Sequence, residues 1–171
     1  MRNVILILIL LIPSLLNSST VVSYYDTKIS IEITSSVPKG LPILKKDLLL
    51  DLHKCSNIGK RFHPIYRVYT LHKGLDLPAK KGTPIYSMAY GKVIEAGRFF
   101  DGYGNKIIIK SGDYTVLYAH CDEIFVKEGD IISFQQKIGT VGMTGTATGP
   151  HIHLEVRKFN TLLDPIKVID G

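Results

Sequence analysis

At 171 residues, with 45% apolar and 21% charged positions, the chain has the size and composition of one globular domain able to bury a core, so disorder is not expected outside the ends. Lys+Arg 21 against Asp+Glu 15 gives a formal net charge of +6, which favours polyanionic surroundings such as nucleic acid, anionic lipid or an anionic cell-wall polymer. The basic residues are scattered and no Lys/Arg block is interleaved with aromatics, so they read as a solvated surface and no nucleic-acid partner is expected.

At the N-terminus, Arg2 precedes an apolar run from Val4 to Ile12, which Pro13 and the polar stretch Asn17-Ser18-Ser19-Thr20 bring to an end. A membrane span needs about 20 apolar residues, and this run is broken well before that. It has the pattern of a secretory signal peptide over residues 1–18, cleaved near Ser18 or Ser19, with an uncleaved anchor as the alternative. No cysteine follows at a position suited to lipidation. Export makes a disulfide chemically permissible, and the two cysteines, Cys55 and Cys121, are candidates for a single bridge.

Residues 19–52 form a lead-in segment. Ile29, Ile31 and Ile33 alternate with polar residues in the manner of a half-buried strand, before Pro38-Lys39-Gly40 and Pro42 break it. Residues 45–52 are read as a short helix. From Cys55 onward, Gly and Pro recur and β-branched and aromatic residues cluster in short segments, which marks residues 53–171 as the main domain. Strands are predicted at 83–89, 91–98, 104–110, 114–120, 131–140 and 151–157, separated by Gly/Asp turns. Many short strands and almost no helix indicate a mainly β, antiparallel sandwich or barrel-like fold, not parallel β-α-β units. Residues 139–150 form a Gly/Thr loop. It is not a phosphate cradle, because no lysine and no helix follow it.

Three segments carry chemistry. In Gly149-Pro150-His151-Ile152-His153-Leu154-Glu155, a strand would send both imidazoles from one face into one space. The spacing alone is weak, since chance supplies roughly 0.2 such pairs in a chain of this composition. In His72-Lys73-Gly74-Leu75-Asp76, the spacing of four puts His72 and Asp76 on one face, and Gly74 leaves the space between them empty. In Tyr118-Ala119-His120, at the end of an apolar strand, Tyr118 and His120 share a face and the sulfur of Cys121 points away from it. Four of the six histidines thus fall into three segments that could converge. Two imidazole nitrogens and one Asp oxygen suit a tetrahedral Zn²⁺ with its fourth position open for water. Two histidines would remain for proton transfer and oxyanion stabilisation. Which of the four bind metal, the residues alone leave open.

The string Gly59-Lys60-Arg61-Phe62-His63-Pro64-Ile65 is followed by His72-x-x-x-Asp76, Gly82-Thr83-Pro84-Ile85, Gly102-Tyr103-Gly104-Asn105, Tyr118-Ala119-His120, Gly139-x-x-Gly142-x-Thr144-Gly145 and Thr148-Gly149-Pro150-His151-Ile152-His153-Leu154-Glu155. From about residue 53 to 168 this order and spacing resembles the lysostaphin-type zinc endopeptidases of bacterial cell walls. The resemblance implies a zinc peptidase domain with a substrate groove, one Zn²⁺ per chain held by His72, Asp76 and His153, and His120 and His151 as catalytic histidines beside the metal. It also matches Tyr66, by spacing, to a tyrosine that helps stabilise the intermediate in some members, although Tyr69 is close. The implied activity is hydrolysis of a peptide bond in peptidoglycan, by a monomer exported to the periplasm or the cell wall, with no membrane contact beyond export. Glu155, on the strand face of the histidine pair, is a candidate to orient a ligand, with a plain structural carboxylate as the rival reading. A non-catalytic member that binds cell wall or regulates another hydrolase is the alternative function. Two departures from the family pattern, Cys55-Ser56-Asn57-Ile58-Gly59 and Cys121 where a leucine is common, bear on substrate preference and on the disulfide, not on the metal.

Overall fold

The structure is a computed structural model, and it describes residues 22–25, 28–31, 38, 42, 47, 49, 55–62 and 67–170. The segment expected to be a signal peptide, Ile33 and Tyr66 lie outside the described residues, as does the helix read over 45–52 save for Asp47 and Leu49. Two compact units are present, residues 1–34 and residues 35–171. In the first, β1 (Val22–Tyr25) and β2 (Lys28–Ile31) form an antiparallel pair, and Ile29 and Ile31 fall on β2 as their alternation predicts.

The second unit is built from antiparallel strands. β3 (Gly59–Phe62) pairs with β4 (Tyr69–His72), and β5 (Leu75–Pro78) and β6 (Pro84–Tyr86) follow. After them come β7 (Gly91–Phe99), β8 (Gly104–Ser111), β9 (Tyr114–Ala119), β10 (Cys121–Ile124), β11 (Ile131–Ile132), β12 (Lys137–Val141), β13 (His151–Lys158) and β14 (Thr161–Leu163). The one helix among the described residues is α1 (Pro165–Asp170). The large sheet runs β11-β7-β8-β9-β13-β14, and β5 also pairs with β13. A smaller sheet runs β10-β12-β6.

β13 is the centre of the arrangement. Along one edge its residues 151–154 pair with β5 and its residues 156–158 with β14; its other edge pairs with β9. Its alternate residues Ile152, Leu154 and Val156 are fully buried, in register with Leu77 and Leu75 of β5 and Tyr118 and Val116 of β9. Each such Leu or Ile side chain contributes about 1.5–3 kcal/mol on leaving water, so this apolar row fixes which face of β13 looks inward. The Tyr118 hydroxyl, inside the core, accepts the Met88 N–H at 2.9 Å.

The fold class agrees with the sequence reading, and three details differ. The strand predicted over 131–140 is two, β11 and β12, because residues 133–136 make a turn in which the Ser133 N–H donates to the Gln136 side chain and Gln135 takes a positive φ of 60°. The strand predicted over 83–89 ends at Tyr86, where the Ser87 hydroxyl donates to the Ala89 carbonyl. The strand predicted over 114–120 ends at Ala119, because His120 adopts a left-handed φ of 62°.

No Cys55–Cys121 bridge forms. Cys121 is a buried free thiol at the start of β10, with its Sγ 3.8 Å from the Tyr118 carbonyl oxygen. Burial pushes this thiol up to about 12, so it stays protonated and unreactive at neutral pH. Mass-mapped alkylation at pH 8 should therefore leave Cys121 unlabelled in the native protein and label it fully after denaturation without reductant. Labelling only after reduction would restore the disulfide.

Candidate metal centre

The backbone register explains why three of the expected residues meet. On β5 and β13, Asp76 lies directly opposite His153, while Leu75 and Leu77 oppose Leu154 and Ile152. Residues opposed across an antiparallel pair share a face. The apolar pairs take the core face, and Asp76 and His153 are left together on the other. From the β9 side the opposed residue is Ala119, whose small side chain leaves the imidazole room. His72 enters from the end of β4 across Gly74. A Cβ on Gly74 would stand 2.8 Å from Cε1 and 2.9 Å from Nε2 of His153 and closer still to the Leu154 carbonyl oxygen. The sequence reading of Gly74 as a spacer is thereby given a physical cause.

The three side chains are buried, with 6% exposure at His72, 8% at Asp76 and 6% at His153. His72 Nε2 lies 3.0 Å from Asp76 Oδ1 and 3.0 Å from His153 Nδ1, and His153 Nδ1 lies 2.8 Å from Asp76 Oδ1. What the outer nitrogens do decides the character of this cluster. The Asn57 carbonyl oxygen, 2.8 Å from His72 Nδ1, can only accept, so Nδ1 carries the proton and Nε2 presents a lone pair. The Glu155 carboxylate, 3.3 Å from His153 Nε2, likewise draws the proton to Nε2 and leaves Nδ1 bare. Three acceptor atoms then face one another, an arrangement that a cation relieves. Two imidazole nitrogens and one carboxylate oxygen, each imidazole anchored through its other nitrogen, are the donors that suit Zn²⁺. The residues present fit that ion.

Charge follows the same geometry. Without a metal a proton can fill the same gap: burial alone would raise the Asp76 carboxyl, but a proton shared with the facing nitrogens of His153 and His72 outweighs it and holds the group well below the usual carboxylate range. His153 is opposite in sign: burial would lower it, and Asp76 and Glu155 raise it above the ordinary imidazole value. Glu155 would be raised by burial at 1% exposure, yet bonds to His153, Tyr103 and Arg157 bring it to about 2.

His120 and His151 stand beside this cluster, with ring centroids 4.8 Å apart; the His120 ring is 5.9 Å from that of His153, and His151 Nε2 is 3.7 Å from Asp76 Oδ1. Had β9 continued, His120 would have followed Ala119 onto the core face beside Tyr118. Its left-handed backbone turns it into the site instead, and its N–H is held by the Tyr103 carbonyl at 3.0 Å. The expectation that Tyr118 and His120 share a strand face is thus corrected: Tyr118 belongs to the core and His120 to the site. His120 Nδ1 donates to the Thr144 carbonyl and His151 Nδ1 to the Gly149 carbonyl, both at 2.8 Å, so each presents an unprotonated Nε2. Burial, with the neighbouring His151 imidazole second, lowers His120 to about 4 and keeps it neutral. Two clefts open on the site and meet at His120 and Thr146.

Sequence reasoning placed His72, Asp76, His153, His120 and His151, and the structure brings all five together. Tyr66 is not among the described residues, while Tyr69 is 78% exposed and packs against the Phe62 ring. Tyr103 was missed as a contributor: its hydroxyl donates to Glu155 Oε1 at 2.5 Å. Only the Gly-Tyr-Gly-Asn string hinted at it, for its partner is 52 residues away.

The model of peptidase family M23 matches residues 70–165. Among curated proteins, the chain is 39% identical over 114 residues to the DD-carboxypeptidase/endopeptidase Mpg of Neisseria meningitidis serogroup B, covering 66% of this chain and 26% of that protein. It is 39% identical over 99 residues to the murein hydrolase activator NlpD of Salmonella dublin, covering 57% and 26%. The chain thus spans about a quarter of the length of these relatives. Among solved structures, a zinc containing peptidase from Vibrio cholerae superposes with a TM-score of 0.66 at 33% identity, covering 76% of this chain and 39% of that one. The catalytic domain of lysostaphin from Staphylococcus simulans gives 0.60 at 30% identity, covering 70% and 96%. From a family match that takes in β4 through β14 and a fold shared with lysostaphin, the chain belongs to peptidase family M23, the lysostaphin-type peptidases.

Proposed function

We propose that the chain is a zinc-dependent endopeptidase that hydrolyses peptide bonds of bacterial peptidoglycan, in the stem peptide or the cross-bridge, acting as an exported monomer. One observation carries the reading: three acceptor atoms of His72, Asp76 and His153 converge within 3.0 Å of one another, beside two histidines whose Nε2 atoms are unprotonated. A zinc ion held by the three would supply Lewis-acid polarisation of a peptide carbonyl and a water whose pKa falls to about 7. The chain's own residues do the rest. The Nε2 of His120 or His151 takes the proton of the attacking water, and the imidazolium so formed passes it to the leaving amine. The second histidine, having taken a proton from solvent at Nε2 before the water attacks, donates from Nε2 to the developing oxyanion, a contact worth about 3–4 kcal/mol in well-placed cases. Carbonyls of Thr144 and Gly149 hold the two rings through Nδ1, so neither turns as its proton comes and goes.

The likeness to NlpD supports a second reading, a regulator of another murein hydrolase. One experiment separates them. Purified zinc-loaded protein, incubated with peptidoglycan of several cross-link types, should release fragments with newly freed amine and carboxyl ends by mass spectrometry, lost on chelation and regained on zinc addition. Release of no fragments by the protein alone, with stimulation of an added hydrolase, would favour the regulator.

A further inference from the structure

We infer that Tyr103 is a positioning residue for zinc: its hydroxyl holds the Glu155 carboxylate, and Glu155 in turn holds His153 with Nδ1 facing His72 and Asp76. This rests on the zinc-site reading above. Glu155 is nearly inaccessible, and all three of its neighbours converge on it with N–H or O–H groups. Oε1 accepts from the Tyr103 hydroxyl at 2.5 Å and from His153 Nε2 at 3.3 Å, and Oε2 accepts from Arg157 Nη2 at 2.7 Å. Without the hydroxyl, Oε1 would lose its shortest contact and the carboxylate could turn about its terminal bond, towards Arg157 and away from the imidazole.

Tyr103 is itself fixed from three sides. Its N–H donates to Asp101 Oδ1 at 3.1 Å, while Asp101 Oδ2 pairs at 2.7 Å with Lys106 Nζ, a buried ammonium that also reaches Glu95 at 3.0 Å. The next residue, Gly104, has φ 67°, and a Cβ there would stand 2.6 Å from Thr144 Oγ1, so the Asp101–Gly104 turn is seated against the Thr144–Thr146 loop. The Tyr103 ring lies 5.7 Å from that of His153, and its carbonyl accepts the His120 N–H at 3.0 Å. One residue therefore braces a proposed ligand through its side chain and a proposed proton carrier through its backbone. A phenylalanine at this position keeps the backbone contact and the ring and removes only the brace to the ligand.

The test compares zinc dissociation constants, by chelator competition, for the full chain and for Tyr103→Phe, Glu155→Gln and the double variant. Loss of an outer partner of a ligating histidine weakens metal binding by about 10- to 100-fold. Tyr103→Phe should fall at the lower end and Glu155→Gln at the upper. Because both act through one carboxylate, the double variant should bind no more weakly than Glu155→Gln alone, whereas independent losses would multiply. Long-range proton–nitrogen spectra should place zinc on His153 Nδ1 in the parent chain and show a mixture of Nδ1 and Nε2 ligation in Glu155→Gln. Should Glu155→Gln fail to fold, Tyr103→Phe alone decides. A Tyr103→Phe protein with parental zinc affinity, or multiplying losses, overturns the brace while leaving the zinc site standing. A parent chain that binds no zinc overturns the site itself.

Discussion

His153→Ala is expected to abolish stoichiometric zinc and, with it, hydrolysis of peptidoglycan, whereas His120→Ala is expected to keep the metal and lose roughly 10²- to 10⁴-fold in turnover. The contrast comes from where the two imidazoles point. His153 turns Nδ1 to within 3.0 Å of His72 and 2.8 Å of Asp76, so its removal takes away one of three convergent donors. It also leaves Glu155, held at about 2, buried against Tyr103 and Arg157 without its imidazole partner. His120 touches the Thr144 carbonyl and the His151 ring but none of the three donor atoms by hydrogen bond, and its replacement leaves their spacing intact. Zinc content by mass spectrometry of the intact protein, read beside turnover of each variant, checks the assignment. Metal kept by His153→Ala and lost by His120→Ala would reverse it.

Gly74→Ala is expected to damage stability and the metal site together. The added carbon would meet the Leu154 carbonyl oxygen inside ordinary contact distance and the His153 ring at 2.8–2.9 Å. Neither neighbour is a loose side-chain end: Leu154 lies in the central strand, paired on both edges, and His153 is fixed at both nitrogens. Overpacking of this kind costs about 1–3 kcal/mol of stability. The larger effect falls on function, because a displacement of about 1 Å at a catalytic constellation can cost about 10²-fold. Thermal melting and zinc titration of Gly74→Ala are the measurements; a melting temperature and affinity equal to the parent's would show that the strands separate without cost.

Much of this was legible from residue order, for identifiable reasons. Clusters of β-branched and aromatic residues bounded by Gly/Asp turns are a local signal, and they disclosed β7, β8, β9 and β13 with nearly their observed limits. The histidine pair and the His72–Asp76 spacing are also local, so same-face placement could be read directly. Which strands lie side by side is not local, and the opposition of Asp76 to His153 came only with the fold. His120 was the instructive error. An apolar segment running from Tyr114 through Cys121 gives no sign of a break, and histidine is a residue that tolerates a positive φ without advertising it. The turn at residues 133–136 hid in the same way, having neither Gly nor Pro. Glu155 was visible as a same-face neighbour of His153, but the hydroxyl that restrains it belongs to a distant turn.

The alternation on β13 has one more consequence, which concerns insertions and deletions. His151, His153 and Glu155 occupy one face, and Ile152, Leu154 and Val156 the other, within one continuous strand paired on both edges. Removing or adding one residue inside this strand would exchange the two sets, sending imidazoles towards the apolar interior and aliphatic groups into the clefts. The strand can therefore vary in what it carries but not in its length, and changes in chain length compatible with the site are confined to the turns that join the strands.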